Sequence, residues 1–156
     1  MEPLVLSLLM WLAAHSDYNV TGLPTPQIRL LSPEAMTALY YEQAGAKAGA
    51  PQVDTRIQGY FLWGDGLPGV IYLVDPRDTP GAARYPDPSD NPLFRERLLH
   101  ELVHFAQRAS GASANFPCPT RGEFEAYRLG GTYLRELGVP DPMPMRMRWA
   151  QRFSAC

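Results

Sequence analysis

The segment from Asn91 to Ala109 limits what this chain can fold into more than any other. Phe94, Leu98, Leu102, Phe105 and Ala109 recur there at helical spacing and make one apolar stripe, so the segment lays one face of a helix on a core. Asp90 or Asn91 stands where a cap belongs, Pro92 suits the first turn, and Gly111 stops the helix. His100, His104 and Gln107 fall on another face of the same helix, toward a cleft. One side of this helix builds the interior while the other presents chemistry.

The chain around it has 156 residues, the length of one domain at roughly 100–200 residues each. Leu4 to Ala14 is an apolar run, shorter than the ~18–20 residues a bilayer-spanning helix needs. It is read as a buried N-terminal helix in preference to a signal peptide, because Glu2 takes the place of a basic n-region; Met1 is then a start residue on a mature domain. Gln27 to Leu31 alternates as a short strand, and Ser32-Pro33 opens a second helix with an apolar stripe of Met36, Leu39 and Tyr40. Arg56 to Trp63 and Gly69 to Val74 read as two strands joined across Gly64-Asp65-Gly66-Leu67-Pro68 as a hairpin. Prolines 76, 80, 86 and 88 make Asp75 to Asp90 a loop. Two helices follow, at about 91–109 and 121–137, before a Pro/Met-rich tail.

Composition narrows the partners. The formal net charge is −2, and the 14 Lys and Arg are scattered, so no surface is expected for nucleic acid or for an anionic membrane. Cys118 and Cys156 are the only cysteines. An even count fits one disulfide tying the chain end to the loop before the last predicted helix, or else two free thiols. The first alternative favours a secreted or periplasmic location.

Chemistry is concentrated in His100-Glu101-Leu102-Val103-His104. Positions i and i+4 of a helix lie about 5–6 Å apart at Cβ, so both imidazoles can reach one metal. A catalytic zinc takes three protein ligands at about 2.0–2.1 Å and keeps one position open. Glu101 stands beside the pair, placed to act as general base. His15 stands alone and reads as a capping or surface residue.

No histidine follows His104, which excludes the histidine-rich extension HExxHxxGxxH of metzincins. The third ligand is therefore sought on the next helix, where Glu123 and Glu125 both lie. Thr120 at N-cap with Glu123 three residues on makes a capping box and gives Glu123 a structural job. Glu125, inside the helix on a face with Leu129 and Thr132, is the expected ligand; Glu123 replaces it if the helix boundary falls elsewhere. Gly130-Gly131 weakens that helix but lets it approach the metal helix closely.

The motif His100 to His104, followed by Glu125-Ala126 on a second helix, resembles the gluzincin branch of the zincin metallopeptidases, and the small size resembles the minimal gluzincins. The likeness runs from about Gly59 to Leu137. It implies that residues 1–156 form a single α+β, zincin-like domain: a small antiparallel or mixed sheet packed on an active-site helix, with a second, ligand-bearing helix. It also implies Zn2+ held by His100, His104 and Glu125, and hydrolysis of a peptide or protein substrate by a metal-activated water with Glu101 as base. Gly69 to Leu73 would be the edge strand to which substrate adds itself. Larger gluzincins stabilise the oxyanion with a further His or Tyr; here Tyr85, Tyr127, Tyr133 or Arg121 would have to substitute. The rival expectations are a catalytically inactive zinc module that binds a peptide in the same cleft, and a metal-free interaction protein.

Overall fold

A computed structural model describes residues 1–45, 51–64 and 68–156. Helix α1 (Glu2–His15) is followed by strand β1 (Gln27–Leu31), helix α2 (Pro33–Gln43), strands β2 (Gly59–Leu62) and β3 (Val70–Val74), and helices α3 (Pro92–Ala109), α4 (Glu123–Glu136) and α5 (Arg146–Phe153). The architecture is α+β, with a mixed sheet of three strands in the order β1-β3-β2. β2 and β3 pair antiparallel, with Tyr60 opposite Tyr72, as the hairpin reading requires; Asp65, Gly66 and Leu67 of its link lie outside the described residues.

β3 is the central strand, because β1 pairs with it in parallel register from Gln27 opposite Val70 to Leu31 opposite Val74. This corrects the expectation that Gly69 to Leu73 forms the sheet edge. The near-continuous apolar run Val70-Ile71-Tyr72-Leu73-Val74 suits a strand with neighbours on both sides and a core beneath. β2 is the edge strand on the hairpin side.

The core forms where α1, the sheet, α3 and α4 meet. Val5, Leu8, Leu9 and Leu12 of α1 join Ile71 and Leu73 of β3, Phe94, Leu98, Leu102 and Phe105 of α3, and Ala126 and Leu129 of α4. Fully burying one such leucine or phenylalanine contributes roughly 1.5–3 kcal/mol. The apolar N-terminal run is thus a helix packed in the core. His15 and Trp11 hold its end to α4: His15 Nε2 lies 3.0 Å from Glu136 Oε1, and Trp11 Nε1 donates to Glu136 Oε2 at 2.8 Å.

Residues 76–90 carry three short 3-10 turns, Pro76–Asp78, Ala82–Arg84 and Pro88–Asp90. Asn91 then caps α3 by accepting from Leu93 N–H at 3.0 Å. The cysteines are joined, Cys118 to Cys156, which fastens the segment after α5 to the turn before α4.

Candidate metal centre and active site

α3 begins with Asn91 as cap and Pro92 in the first turn, as its sequence signals require. His100 and His104 therefore sit mid-helix, one turn apart, with Nε2 atoms 3.2 Å from each other. The carboxylate that joins them belongs to Glu123. Its Oε2 is 3.3 Å from His100 Nε2 and its Oε1 is 3.4 Å from His104 Nε2. His100, His104 and Glu123 are the group among the described residues whose ligand atoms, one each, lie within 4.8 Å of one another.

Glu125 is placed elsewhere. Both its oxygens accept from Arg128, Oε2 from Nε at 2.9 Å and Oε1 from Nη2 at 2.6 Å. The reason lies in the helix boundary. Thr120 belongs to a 3-10 turn, Pro119–Gly122, and α4 opens at Glu123 after Gly122, without a side-chain cap. No capping box forms, and the Thr120 hydroxyl is turned to Ala155 O at 3.3 Å. The buried stripe of α4 is Ala126, Leu129, Gly130, Tyr133 and Leu134. Counting back from Ala126 and Gly130 places Glu123 on the face that meets α3, while Glu125 lies most of a half-turn away.

Gln107 fixes the orientation of His104. Its Nε2 donates to Gly122 O at 2.9 Å and to the Tyr18 hydroxyl at 3.2 Å, which leaves Oε1 as the acceptor. His104 Nδ1 lies 3.1 Å from that oxygen and donates to it, so the Nε2 lone pair is free for a metal. Gly122 makes this possible: a Cβ there would lie 3.0 Å from Gln107 Cδ and closer still to Oε1. In the sequence, Gln107 falls on the histidine face, and nothing there marks it as a partner for His104.

Glu101 is buried and lies against β2. A Cβ on Gly59 would fall 2.5 Å from Glu101 Oε1, so the bare glycine lets the carboxylate sit against the edge strand. Burial pushes the Glu101 carboxyl above its ordinary value, although His100 and His104 pull the other way. For His104, burial disfavours the charged form, but Glu123 and then Glu101 outweigh it and raise the pKa to about 9. Glu123 is likewise disfavoured as a carboxylate by burial, yet its contacts with His100 and His104 hold it well below its ordinary value. The cluster is built around carboxylates that call for positive charge.

Of the residues considered for the oxyanion, Tyr127 is the one at the centre. Its ring meets His100 edge to face at 4.9 Å, and burial pushes its phenol up to about 12, so it remains a proton donor. Tyr133 packs edge to face on Trp11. Arg121 lines a cavity of about 250 Å3 with Tyr18, Gln107, Phe116 and Phe124. Tyr85 follows the second 3-10 turn.

A buried ion-pair group that sequence reasoning missed supports the helices from behind. Arg146 Nη1 donates to Glu96 Oε1 of α3 at 2.6 Å, and its Nε and Nη2 donate to Asp141 at 2.7 and 2.9 Å. Gly130 and Gly131 make room for it: a Cβ on Gly130 would lie 3.1 Å from Arg146 Nη1, and one on Gly131 would lie 2.8 Å from Arg146 Cδ. The paired glycines thus admit a charge cluster that joins α3, α4 and α5.

The donor set fits zinc. Ligand atoms of a tetrahedral shell at 2.0–2.1 Å are separated by about 3.3 Å, close to the 3.2, 3.3 and 3.4 Å found between the two imidazoles and the carboxylate. Two imidazole nitrogens and one carboxylate oxygen are also a set that zinc accepts at catalytic sites.

The family model described as DUF6647, a domain of unknown function, matches residues 1–151, and the chain belongs to that family. No curated protein and no solved structure matches it.

Proposed function

We propose that this DUF6647 domain is a zinc-dependent peptidase in which His100, His104 and Glu123 hold the metal and Glu101 is the general base. The observation that carries this reading is the convergence of Glu123 on two imidazoles one helical turn apart. When bound, zinc supplies Lewis acidity and makes a water nucleophilic near neutral pH.

The chain's own residues do the rest. Gln107 holds His104 in the tautomer that presents Nε2. Glu101, buried beside the cluster against β2, accepts the proton of the attacking water on its carboxylate and returns it to the leaving amine. Tyr127 donates its phenolic hydrogen toward the oxygen that gains charge. An extended substrate has a place beside Glu101 along β2, the edge strand nearest the base, where unpaired backbone groups can take a further strand. The Cys118–Cys156 bond supports an oxidising compartment, secreted or periplasmic. No helix among the described residues is long and apolar enough to cross a membrane.

The test is cleavage of a mixed peptide library by the purified protein. Activity is expected to disappear with a chelator and return with zinc, and Glu101→Gln is expected to keep zinc and lose hydrolysis. Normal turnover by Glu101→Gln, or a protein that takes up no zinc, refutes the reading.

A further inference from the structure

An aromatic shelf leads from the metal cluster to the surface. Tyr127, edge to face on His100, stacks on Phe153 at 5.8 Å, and Phe153 stacks on Trp149 at 5.6 Å. Both α5 rings are exposed, Trp149 by 40% and Phe153 by 44%. Beside that stripe runs a second one, since Arg148 and Arg152 are also one turn apart and each precedes an aromatic residue. Both arginines are exposed, and among the described residues neither is paired with a carboxylate. Residues 142–156 hold no Asp or Glu in a chain whose net charge is −2.

This face is firmly held. α5 has 8 residues, short of the ~12–15 at which an isolated helix becomes even marginal. Arg146 plugs it into Glu96 and Asp141, Ala150 is fully buried, and the disulfide anchors the residues after it. Two exposed rings stacked side by side on an anchored helix form a contiguous apolar patch of the kind that marks a binding surface.

We infer that α5 is a substrate-docking face that selects acidic peptides, seating an apolar side chain on Phe153 and Trp149 and pairing flanking carboxylates with Arg148 and Arg152. This rests on the peptidase reading and names its substrate class. Continuity of the shelf with His100 argues for the substrate as occupant rather than a lipid surface, and the two exposed arginines select the charge.

The experiment compares zinc-loaded wild type, Arg148→Glu/Arg152→Glu, Arg148→Lys/Arg152→Lys and Trp149→Ala on matched peptides carrying Asp/Glu or Lys away from the scissile bond. Binding of the same peptides to zinc-loaded Glu101→Gln is measured beside cleavage. The expected result is a preference for acidic peptides that charge reversal removes through KM, by roughly 5- to 10-fold for two exposed pairs. The lysine double variant is expected to keep it, Trp149→Ala to weaken binding of all peptides, and zinc content to stay unchanged throughout. Cleavage without acidic preference, or a preference that survives charge reversal, overturns the docking face and leaves the peptidase standing. No cleavage and no peptide binding by wild type overturns both, whereas binding of the protein to anionic vesicles that Arg148→Glu/Arg152→Glu removes, with no effect on peptides, overturns the docking face alone.

Discussion

Gly122→Ala isolates the support behind the proposed metal site. The backbone at Gly122 has φ −62° and ψ −25°, which alanine adopts without strain. On conformational grounds the substitution should stabilise the protein by about 0.4–1 kcal/mol. The added Cβ instead arrives 3.0 Å from Gln107 Cδ and 3.2 Å from its Nε2, and Gln107 is only 2% exposed, so the amide has little room to retreat. Displacing it strains contacts with His104 Nδ1, Gly122 O and the Tyr18 hydroxyl. A buried polar group left unmet costs about 1–3 kcal/mol, which outweighs the backbone gain.

Loss of the acceptor for His104 Nδ1 is then expected to weaken zinc about 10- to 100-fold, the usual effect of removing a partner that orients a ligand. Competition against a chromogenic chelator reads the affinity, and thermal unfolding of the metal-free protein reads the stability. Gln107→Ala should produce a similar loss of affinity, and adding Gly122→Ala to it should cost nothing more, since the clash has gone. A Gly122→Ala protein with wild-type zinc affinity and a raised melting temperature refutes the reasoning.

Glu123→Gln should reduce zinc binding by orders of magnitude, whereas Glu125→Gln should retain it and lose only its partly exposed pair with Arg128, at most about 1 kcal/mol; metal analysis after dialysis distinguishes them. Tyr127→Phe should keep zinc and the fold while lowering kcat by about 10²–10³-fold, the scale of one lost oxyanion donor; unchanged kcat removes Tyr127 from the mechanism. Arg146→Met leaves the Glu96 carboxylate buried without its cation, a loss of about 3–5 kcal/mol, expected as a melting temperature lower by about 10 °C.

The residues of α3 announce their own structure, because cap, first-turn proline and apolar stripe all lie within one segment. His100 and His104 are legible for the same reason. Whether Glu123 or Glu125 faces the histidines depends on where α4 begins, and a 3-10 turn runs from Pro119 past Thr120 to Gly122, which no capping pattern reveals. Two signals pointed the right way: Arg128 three residues after Glu125 offers it a partner, and Ala126 and Gly130 mark the face that approaches another helix. The central place of β3 was hinted at by its unbroken apolar run, but pairing with β1 across the intervening α2 is non-local. The Glu96–Arg146–Asp141 cluster joins residues 50 positions apart, and nothing local in either segment announces it.

Anomalous diffraction at the zinc edge, from crystals of the full chain grown with equimolar zinc, addresses the proposed metal centre most directly. One peak within bonding distance of His100 Nε2, His104 Nε2 and a Glu123 carboxylate oxygen is predicted. No peak there, or a peak bound through Glu125 instead, contradicts it.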